Sequence, residues 1–244
     1  MWGLPCLSSQ IRSLAMNASI DLDELLGPLS PAGVPELRAV MVNTLFGSFT
    51  IDGTSGGLGN DNDTAVLLGL REWADAVLVT SGTVKKEHYG ASDTPLAVVS
   101  RSLDFDTDSE LFDGEGPIIL TPQASFDDSS QEMADRRNAL ESAGAQIVST
   151  GGGSPAEIVD TLRGRGYARI SCEGGPSLYA ALLADGLVDV LHLTTDPRVP
   201  NEMTSLKLTD LGSVDTSRWV LEHLTSDEDS MIFTRYRRGN GNGK

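Results

Sequence analysis

Residues suited to binding an anion lie together at the end of one predicted strand. The segment Ile170–Leu183 begins with apolar, β-favouring residues and continues with two glycines, a proline and leucines at helical spacing. This pattern predicts a buried strand, a tight turn and a helix. Gly174 and Gly175 leave room for a ligand to approach the backbone, and the N–H groups of the helix start, with the Ser177 hydroxyl, can bind a phosphate. A plain strand-to-helix turn is the alternative; Glu173, a carboxylate at the carboxyl end of a strand, favours a site for chemistry.

Other strand ends carry groups of the same kind. Thr83 begins a short helix after the predicted strand 75–80, so its amide and hydroxyl can face an anion. Ser100 and Arg101 directly follow another predicted strand, and arginine can clamp a phosphate with two hydrogen bonds. Taken alone, Arg101 is equally consistent with a solvated loop charge, and the triple glycine at 151–153 with a flexible bend. Because successive parallel strands deliver their carboxyl ends to one edge of a sheet, we expect these corners to share one crevice.

The composition is that of an acidic globular protein. Among 244 residues, 18 Lys and Arg stand against 35 Asp and Glu, which gives a formal net charge of −17. Such a chain repels a phosphate backbone, which argues against a nucleic-acid partner, and a phosphorylated ligand would need a local basic or helix-terminal site. No segment is long and apolar enough to span a membrane. Cys6 and Cys172 are far apart and no Cys/His spacing suits a metal, so we expect a cytoplasmic protein without a metal site.

Strand-like and helical patterns alternate along most of the chain. This alternation predicts an α/β fold, a mostly parallel central sheet with helices on both faces. Two apolar segments, 219–224 and 231–236, flank a polar turn and predict an antiparallel hairpin at the sheet edge. We interpret 1–37 as a lead-in, 38–236 as a single domain and 237–244 as a disordered tail.

A set of short motifs, in this order, resembles the reductase domain of riboflavin biosynthesis. The motifs are Val42-Asn-Thr-Leu-Phe-Gly47, Ser55-Gly-Gly-Leu-Gly59, Leu70-Arg71, Thr80-Ser-Gly-Thr83, Val98-Val-Ser-Arg101 and Glu173-Gly-Gly-Pro-Ser-Leu178. The resemblance runs from about Arg38 to Tyr236 and looks like the stand-alone actinobacterial branch of pyrimidine reductase-like proteins. It implies a dihydrofolate reductase-like fold and reduction of 5-amino-6-(5-phosphoribosylamino)uracil by NADPH. The companion deaminase domain, with its zinc signature, is absent from this sequence.

The resemblance also implies roles for individual residues. Those expected to hold NADPH are Asn43, Thr83, Glu87, Ser100, Arg101, Gly174, Gly175, Pro176, Ser177 and Leu178. Those expected to face a phosphorylated pyrimidine are Thr44, Ser55, Arg71 and Glu173. Arg101 is expected to bind the 2′-phosphate of the cofactor. The expected hydride acceptor is C1′ of the ring-opened ribosylamine, and no side chain is assigned as a general acid.

Two departures from the family pattern keep other functions open. Phe46 stands where the family commonly has an acidic residue, and the segment after the Thr83 helix lacks the family's second arginine, for which Lys85 or Lys86 could substitute. A reductase for another flat heterocycle, such as a dihydropterin, is one alternative, since Phe46 could stack on a ring. An NADPH-binding protein without this activity is another. The apolar terminal strands and the resemblance together predict a homodimer.

Overall fold

A nine-stranded sheet organises the molecule. The computed structural model describes residues 20–206, 216 and 218–239. The strands lie in the order β5-β4-β3-β2-β6-β1-β7-β9-β8. Their bounds are β1 Glu36–Thr44, β2 Ala76–Thr80, β3 Leu96–Val99, β4 Ile118–Thr121, β5 Gln146–Ser149, β6 Arg169–Gly174, β7 Val190–Asp196, β8 Trp219–Ser226 and β9 Ile232–Arg238. The pairs among β1 to β7 are all parallel, whereas β9 is antiparallel to both β7 and β8.

Helices cover both faces of this sheet. Their bounds are α1 Leu22–Leu26, α2 Asp61–Trp73, α3 Ser81–Lys86, α4 Gln123–Phe126, α5 Gln131–Ser142, α6 Pro155–Gly164 and α7 Pro176–Ala184. Side chains from α6 and α7 pack with one set of alternate strand residues. Side chains from α1, α2, α3 and α5 pack with the opposite set. The division follows from the two-residue period of a strand, which sends neighbouring side chains to opposite faces.

The centre of the sheet shows this alternation clearly. Along β1, Leu37, Ala39 and Met41 belong to the core beneath α6 and α7. Val40 belongs to the core beneath α1 and α2. The neighbouring Arg38 is fully buried and its guanidinium lies over the Trp73 ring at 5.0 Å. Strand β1 lies between β6 and β7, and its near-continuous burial is typical of a parallel strand covered on both sides.

The predicted fold class is confirmed: the sheet is mostly parallel, helices lie on both faces, and a C-terminal hairpin forms one edge. Within this fold, Cys172 is a fully buried core residue, and burial raises the pKa of its thiol to about 12. No helix among the described residues is long and apolar enough to cross a membrane.

The element bounds differ slightly from the predicted domain limits. β1 begins at Glu36, and the preceding α1 packs against α2, so the ordered part begins before residue 38. At the other end, β9 continues to Arg238, because Arg237 binds Glu222 at 2.6 Å and the Arg238 N–H donates to the Asp189 carbonyl at 2.9 Å. Residues 1–19 of the predicted lead-in and 240–244 of the predicted tail lie outside the described residues.

Candidate active site

A cleft of about 650 Å³ opens at the carboxyl ends of the central strands β1, β2 and β6. The glycine-rich loop 53–59, the first turns of α3 and α7, and one face of α2 form its walls. Crevices of this kind, at the carboxyl edge of a parallel sheet, are where α/β proteins bind ligands. Of the residues predicted from the sequence, the cleft brings together Ser55, Arg71, Thr83, Glu87, Glu173, Gly175, Pro176 and Ser177.

The turn between β6 and α7 has no room for side chains. Gly174 has a φ of +94°, and a Cβ there would lie 2.6 Å from the Tyr179 ring. A Cβ on Gly175 would lie 2.7 Å from the Thr83 hydroxyl, and the Gly175 N–H donates to the Thr80 hydroxyl at 3.2 Å. No side chain caps the start of α7. Since Pro176 has no N–H, Ser177, which lines the cleft, provides the first backbone donor of the helix.

Arg71 and Glu173, predicted separately, bind each other. Two hydrogen bonds of 2.7 and 2.6 Å join the Arg71 guanidinium to the two carboxylate oxygens of Glu173. Tyr89 donates a third, of 2.6 Å, to Glu173 Oε2, and its ring lies 5.1 Å from the guanidinium carbon. The Glu173 side chain is only 2% exposed. Oε2 therefore accepts twice and Oε1 once, so Oε1 keeps one lone pair for a ligand.

The contacts in this cluster raise the pKa of both Arg71 and Tyr89. Hydrogen bonding to the Glu173 carboxylate, which outweighs burial, raises the pKa of Arg71. Burial, followed by the charge of Glu173, raises the pKa of the Tyr89 phenol well above its usual value. Tyr89 is therefore a neutral hydrogen-bond donor at every physiological pH. The cluster can hold a polar ring in one orientation, but its phenol is a poor acid.

Acidic side chains hold the glycine-rich loop over the cleft. The Ser55 N–H donates to Glu87 Oε1 at 2.9 Å, and the Gly53 N–H donates to Glu202 Oε1 at 2.8 Å. At the other end of the loop, the Gly59 N–H donates to Asp196 Oδ2 at 3.3 Å. Carboxylates of this chain therefore bind the loop through its backbone amides.

One stripe of α2 faces the cleft. Asp63, Leu67 and Arg71 recur every four residues and line the same wall. At the start of the helix, the Asp63 carboxylate packs against Gly59, where a Cβ would lie 2.5 Å from Oδ2. Burial and the charge of the nearby Asp196 raise the pKa of Asp63. The cleft therefore contains a carboxyl group that keeps its proton more readily than a free aspartate does.

The remaining predicted residues lie outside the cleft wall. The Thr44 side chain is buried and its hydroxyl accepts from the Ser48 N–H at 3.1 Å. The Ser100 hydroxyl accepts from the Leu103 N–H at 3.1 Å.

The other predicted residues outside the wall range from buried to exposed to solvent. Leu178 packs in the core, and Arg101 is exposed at the end of β3. Asn43 is half-buried, and its carboxamide oxygen has no hydrogen-bond partner among the described residues. Gly174 also lies behind the wall, against the Tyr179 ring. Phe46 is 64% exposed, away from the cleft.

Several cleft residues had no role in the sequence prediction, among them Asp63, His88 and Tyr89. Lys86, one of the two lysines expected to replace the family's second arginine, also lines the cleft. Asp63 had a detectable signal, since its spacing from Leu67 and Arg71 is that of one helix face. Lys86, His88 and Tyr89 follow the Thr83 corner directly, but only the fold turns this segment back over the cleft. By contrast, Lys85 points away and binds Asp104 at 2.7 Å.

Comparison with known proteins identifies the family of this chain. Residues 35–233 match the RibD C-terminal domain family. The chain belongs to this family. A pyrimidine reductase-like protein from Corynebacterium diphtheriae is 32% identical, with a TM-score of 0.75 and with 92% of this chain and 97% of that chain covered. No curated protein matches the sequence.

More distant structures share the fold with this RibD C-terminal domain. A diaminohydroxyphosphoribosylaminopyrimidine deaminase/5-amino-6-(5-phosphoribosylamino)uracil reductase from Thermotoga maritima has a TM-score of 0.64 at 17% identity, covering 84% of this chain and 57% of that chain. A riboflavin biosynthesis reductase from Saccharomyces cerevisiae has a TM-score of 0.62 at 15% identity, covering 88% and 95%. Family membership supports an oxidoreductase of the riboflavin-biosynthesis type.

Proposed function

We propose that the protein is an NADPH-dependent reductase of 5-amino-6-(5-phosphoribosylamino)uracil, the reaction of riboflavin biosynthesis. The observation that carries this proposal is the cleft at the carboxyl ends of β1, β2 and β6, which joins a glycine turn and an uncapped helix start to a buried Arg71–Glu173 pair. The glycine turn and helix start suit a phosphate-bearing cofactor, and the Arg71–Glu173 pair suits a flat polar ring. The match to the RibD C-terminal domain over residues 35–233 supports the same chemistry.

The residues present fit a dinucleotide. Gly175 leaves a cradle in the cleft wall that a Cβ would fill, and Ser177 lies beside it at the start of α7. Such a helix start stabilises a pyrophosphate through its free N–H groups and its dipole. Thr83 adds a hydroxyl beside Gly175, at 2.7 Å from the position that a Cβ would take there. Arg101, exposed two strands away from β6, is proposed to bind the 2′-phosphate that distinguishes NADPH from NADH.

The chain's own residues bind and orient the substrate. The free lone pair of Glu173 Oε1 accepts from an amino group of the pyrimidine, while Arg71 and Tyr89 fix the carboxylate in place. Leu67 and Leu58 give the cleft apolar wall area that excludes water. NADPH supplies the hydride when bound, and alignment of donor and acceptor at contact distance provides much of the rate enhancement.

The phosphate of the substrate requires a cation. In the described part of the chain, the arginine and lysine side chains that line the cleft are Arg71 and Lys86. Arg71 is already neutralised by Glu173. We therefore assign the substrate phosphate to Lys86, which takes the place of the second arginine expected from the family.

The proposal is tested by measuring NADPH oxidation with the ribosylaminouracil and identifying the ribitylamino product. Arg101→Ala is expected to raise the KM for NADPH far more than that for NADH. Arg165→Ala is the matched control, because Arg165 binds Gln146 at the amino end of β5 and does not line the cleft. Equal effects of Arg101→Ala on both cofactors would remove Arg101 from this role.

Two results would redirect the assignment. Turnover of dihydrofolate without turnover of the ribosylaminouracil would select a pterin-type reductase. NADPH binding without oxidation against either acceptor would identify a cofactor-binding protein that lacks this activity.

A further inference from the structure

Two carboxylates converge on Gly59 at one end of the cleft, and their surroundings differ. Asp196, on β7, is 2% exposed and accepts from the Arg198 Nε at 2.8 Å and the Arg198 N–H at 3.0 Å. Asp63, on α2, packs against the other side of Gly59 and lines the cleft. Within the described part of the chain, Asp196 and Arg198 form an ion pair, whereas no ion pair involves Asp63.

These surroundings separate the proton affinities of the two groups. Hydrogen bonds from Arg198 lower the pKa of Asp196, so that this carboxylate stays ionised. Burial, together with the Asp196 charge, raises the pKa of Asp63, although the Thr194 side chain on β7 opposes the shift. When the pKa values of two neighbouring carboxyl groups are shifted in opposite directions, one group is suited to donate a proton and the other to remain charged.

The other polar groups near Asp63 do not supply a proton. Tyr179, on α7, donates its hydroxyl hydrogen to the Val40 carbonyl, and burial raises the pKa of this phenol far above neutrality. Arg71 lies two helical turns farther along α2, about 12 Å away along the axis, and binds Glu173. Thus Asp63 is an acidic group of the cleft wall that faces the cavity and has a raised pKa.

We propose that Asp63 is the proton donor of the reduction. This inference rests on the proposed function, in which a C=N bond is reduced. Hydride from NADPH adds to the carbon, the Asp63 proton passes to the nitrogen, and the C=N double bond becomes a C–N single bond. The cofactor is oxidised, and water returns a proton to the Asp63 carboxylate. The same balance holds for the C=N bond of a dihydropterin, so the role does not depend on which acceptor is reduced.

The first test reads the proton directly, in the cofactor-free protein. In protein labelled with ¹³C at the aspartate carboxyls, NMR titration is expected to show a resonance with a pKa above the ordinary aspartate value of 3.8, absent from Asp63→Asn and retained in Asp61→Asn. Asp61 is the matched control, because it is exposed in the same turn of α2. A normal pKa for Asp63 would overturn the proposal. The titration does not require turnover, so its outcome is independent of the proposed function. The proposed function fails if the wild type reduces neither acceptor.

The second test is kinetic. Asp63→Asn is expected to lower kcat by about 10²- to 10⁴-fold, the usual contribution of a general acid, with little change in the Kd for NADPH. A donor must be protonated, so the wild-type rate falls as the pH rises through the Asp63 pKa, and this fall disappears in Asp63→Asn. Asp63→Glu is expected to restore part of the rate and the pH dependence. Wild-type rates and an unchanged pH profile in Asp63→Asn would refute the role.

Discussion

At the scale of single residues, the ability of the cleft to bind an anion depends on which of its basic side chains already have an acidic partner. Arg71 is a cation in the sequence but is bound by Glu173 in the fold. Lys85 and Lys86 are adjacent, yet the first binds Asp104 and the second faces the cleft. A charge that has a partner contributes little to recruiting a ligand, whereas an uncompensated one in a cleft contributes much more.

Lys86 therefore gives a residue-scale prediction. Lys86→Ala is expected to raise the KM for the phosphorylated substrate about tenfold or more, since a hydrogen bond to a charged group contributes about 1.5–3 kcal/mol. The effect should weaken at high salt. The measurement compares the phosphorylated substrate with its dephosphorylated form, for which no change is expected.

Lys85→Ala is the matched control, as it removes the same side chain one position away. Equal KM increases in the two variants would show that net charge near the cleft, and not Lys86 itself, governs binding.

At the scale of elements, the triple glycine after β5 belongs to a helix cap. Glu157 accepts from the N–H groups of Gly152 and Ser154 at 2.9 Å, and the Ser154 hydroxyl caps α6 through the Glu157 N–H. The positive φ of Gly151 and Gly153 allows this turn. The loop is thus satisfied by its own helix and does not line the cleft.

The cap leads to an element-scale prediction. Ser154→Ala is expected to lower the free energy of unfolding by about 1 kcal/mol, the usual cost of losing an N-cap. Urea denaturation provides the measurement, with Ser142→Ala, on an exposed helix position, as the control. A hydrogen bond from Ser154, together with those from the backbone, lowers the pKa of Glu157 from 4.5 to about 2.

The sign of the pH effect follows from that shift. A lowered carboxyl pKa contributes stability that is complete above its unfolded value, about 4.5, and is lost as the pH falls towards 2. The difference between wild type and Ser154→Ala should therefore narrow with acidification. A constant difference over this range would assign the stabilisation to the hydroxyl cap alone.

At the scale of the whole molecule, one exposed edge of the sheet carries apolar side chains. β8 is the outermost strand and exposes Val220 by 55%, Leu221 by 48% and Leu224 by 61%. An apolar strand edge is a favourable place for another chain to pair. We propose that a second copy of the protein covers it, which gives the homodimer expected from the sequence.

Light scattering tests this assembly. The wild type is expected to have a dimer mass at micromolar concentration. Leu224→Lys is expected to shift the mass towards that of the monomer, because a charge within the apolar patch must be desolvated. Val34→Lys, at an exposed apolar residue before β1, should leave the mass unchanged. A wild-type monomer would contradict the dimer.

The sequence by itself determined the fold class and the position of the main turn. Periodicity separates strands from helices, and Gly174-Gly175-Pro176 can do little other than turn into a helix, since these properties depend on neighbouring residues alone. Tertiary structure decided which charges meet. Arg71 lies 102 residues from Glu173, and Asp63 and Asp196 converge only at Gly59. Contacts across the sheet decide which charges are paired and which side chains are buried, and no local sequence pattern predicts these contacts. They make Glu173 a positioned hydrogen-bond acceptor and raise the pKa of Asp63.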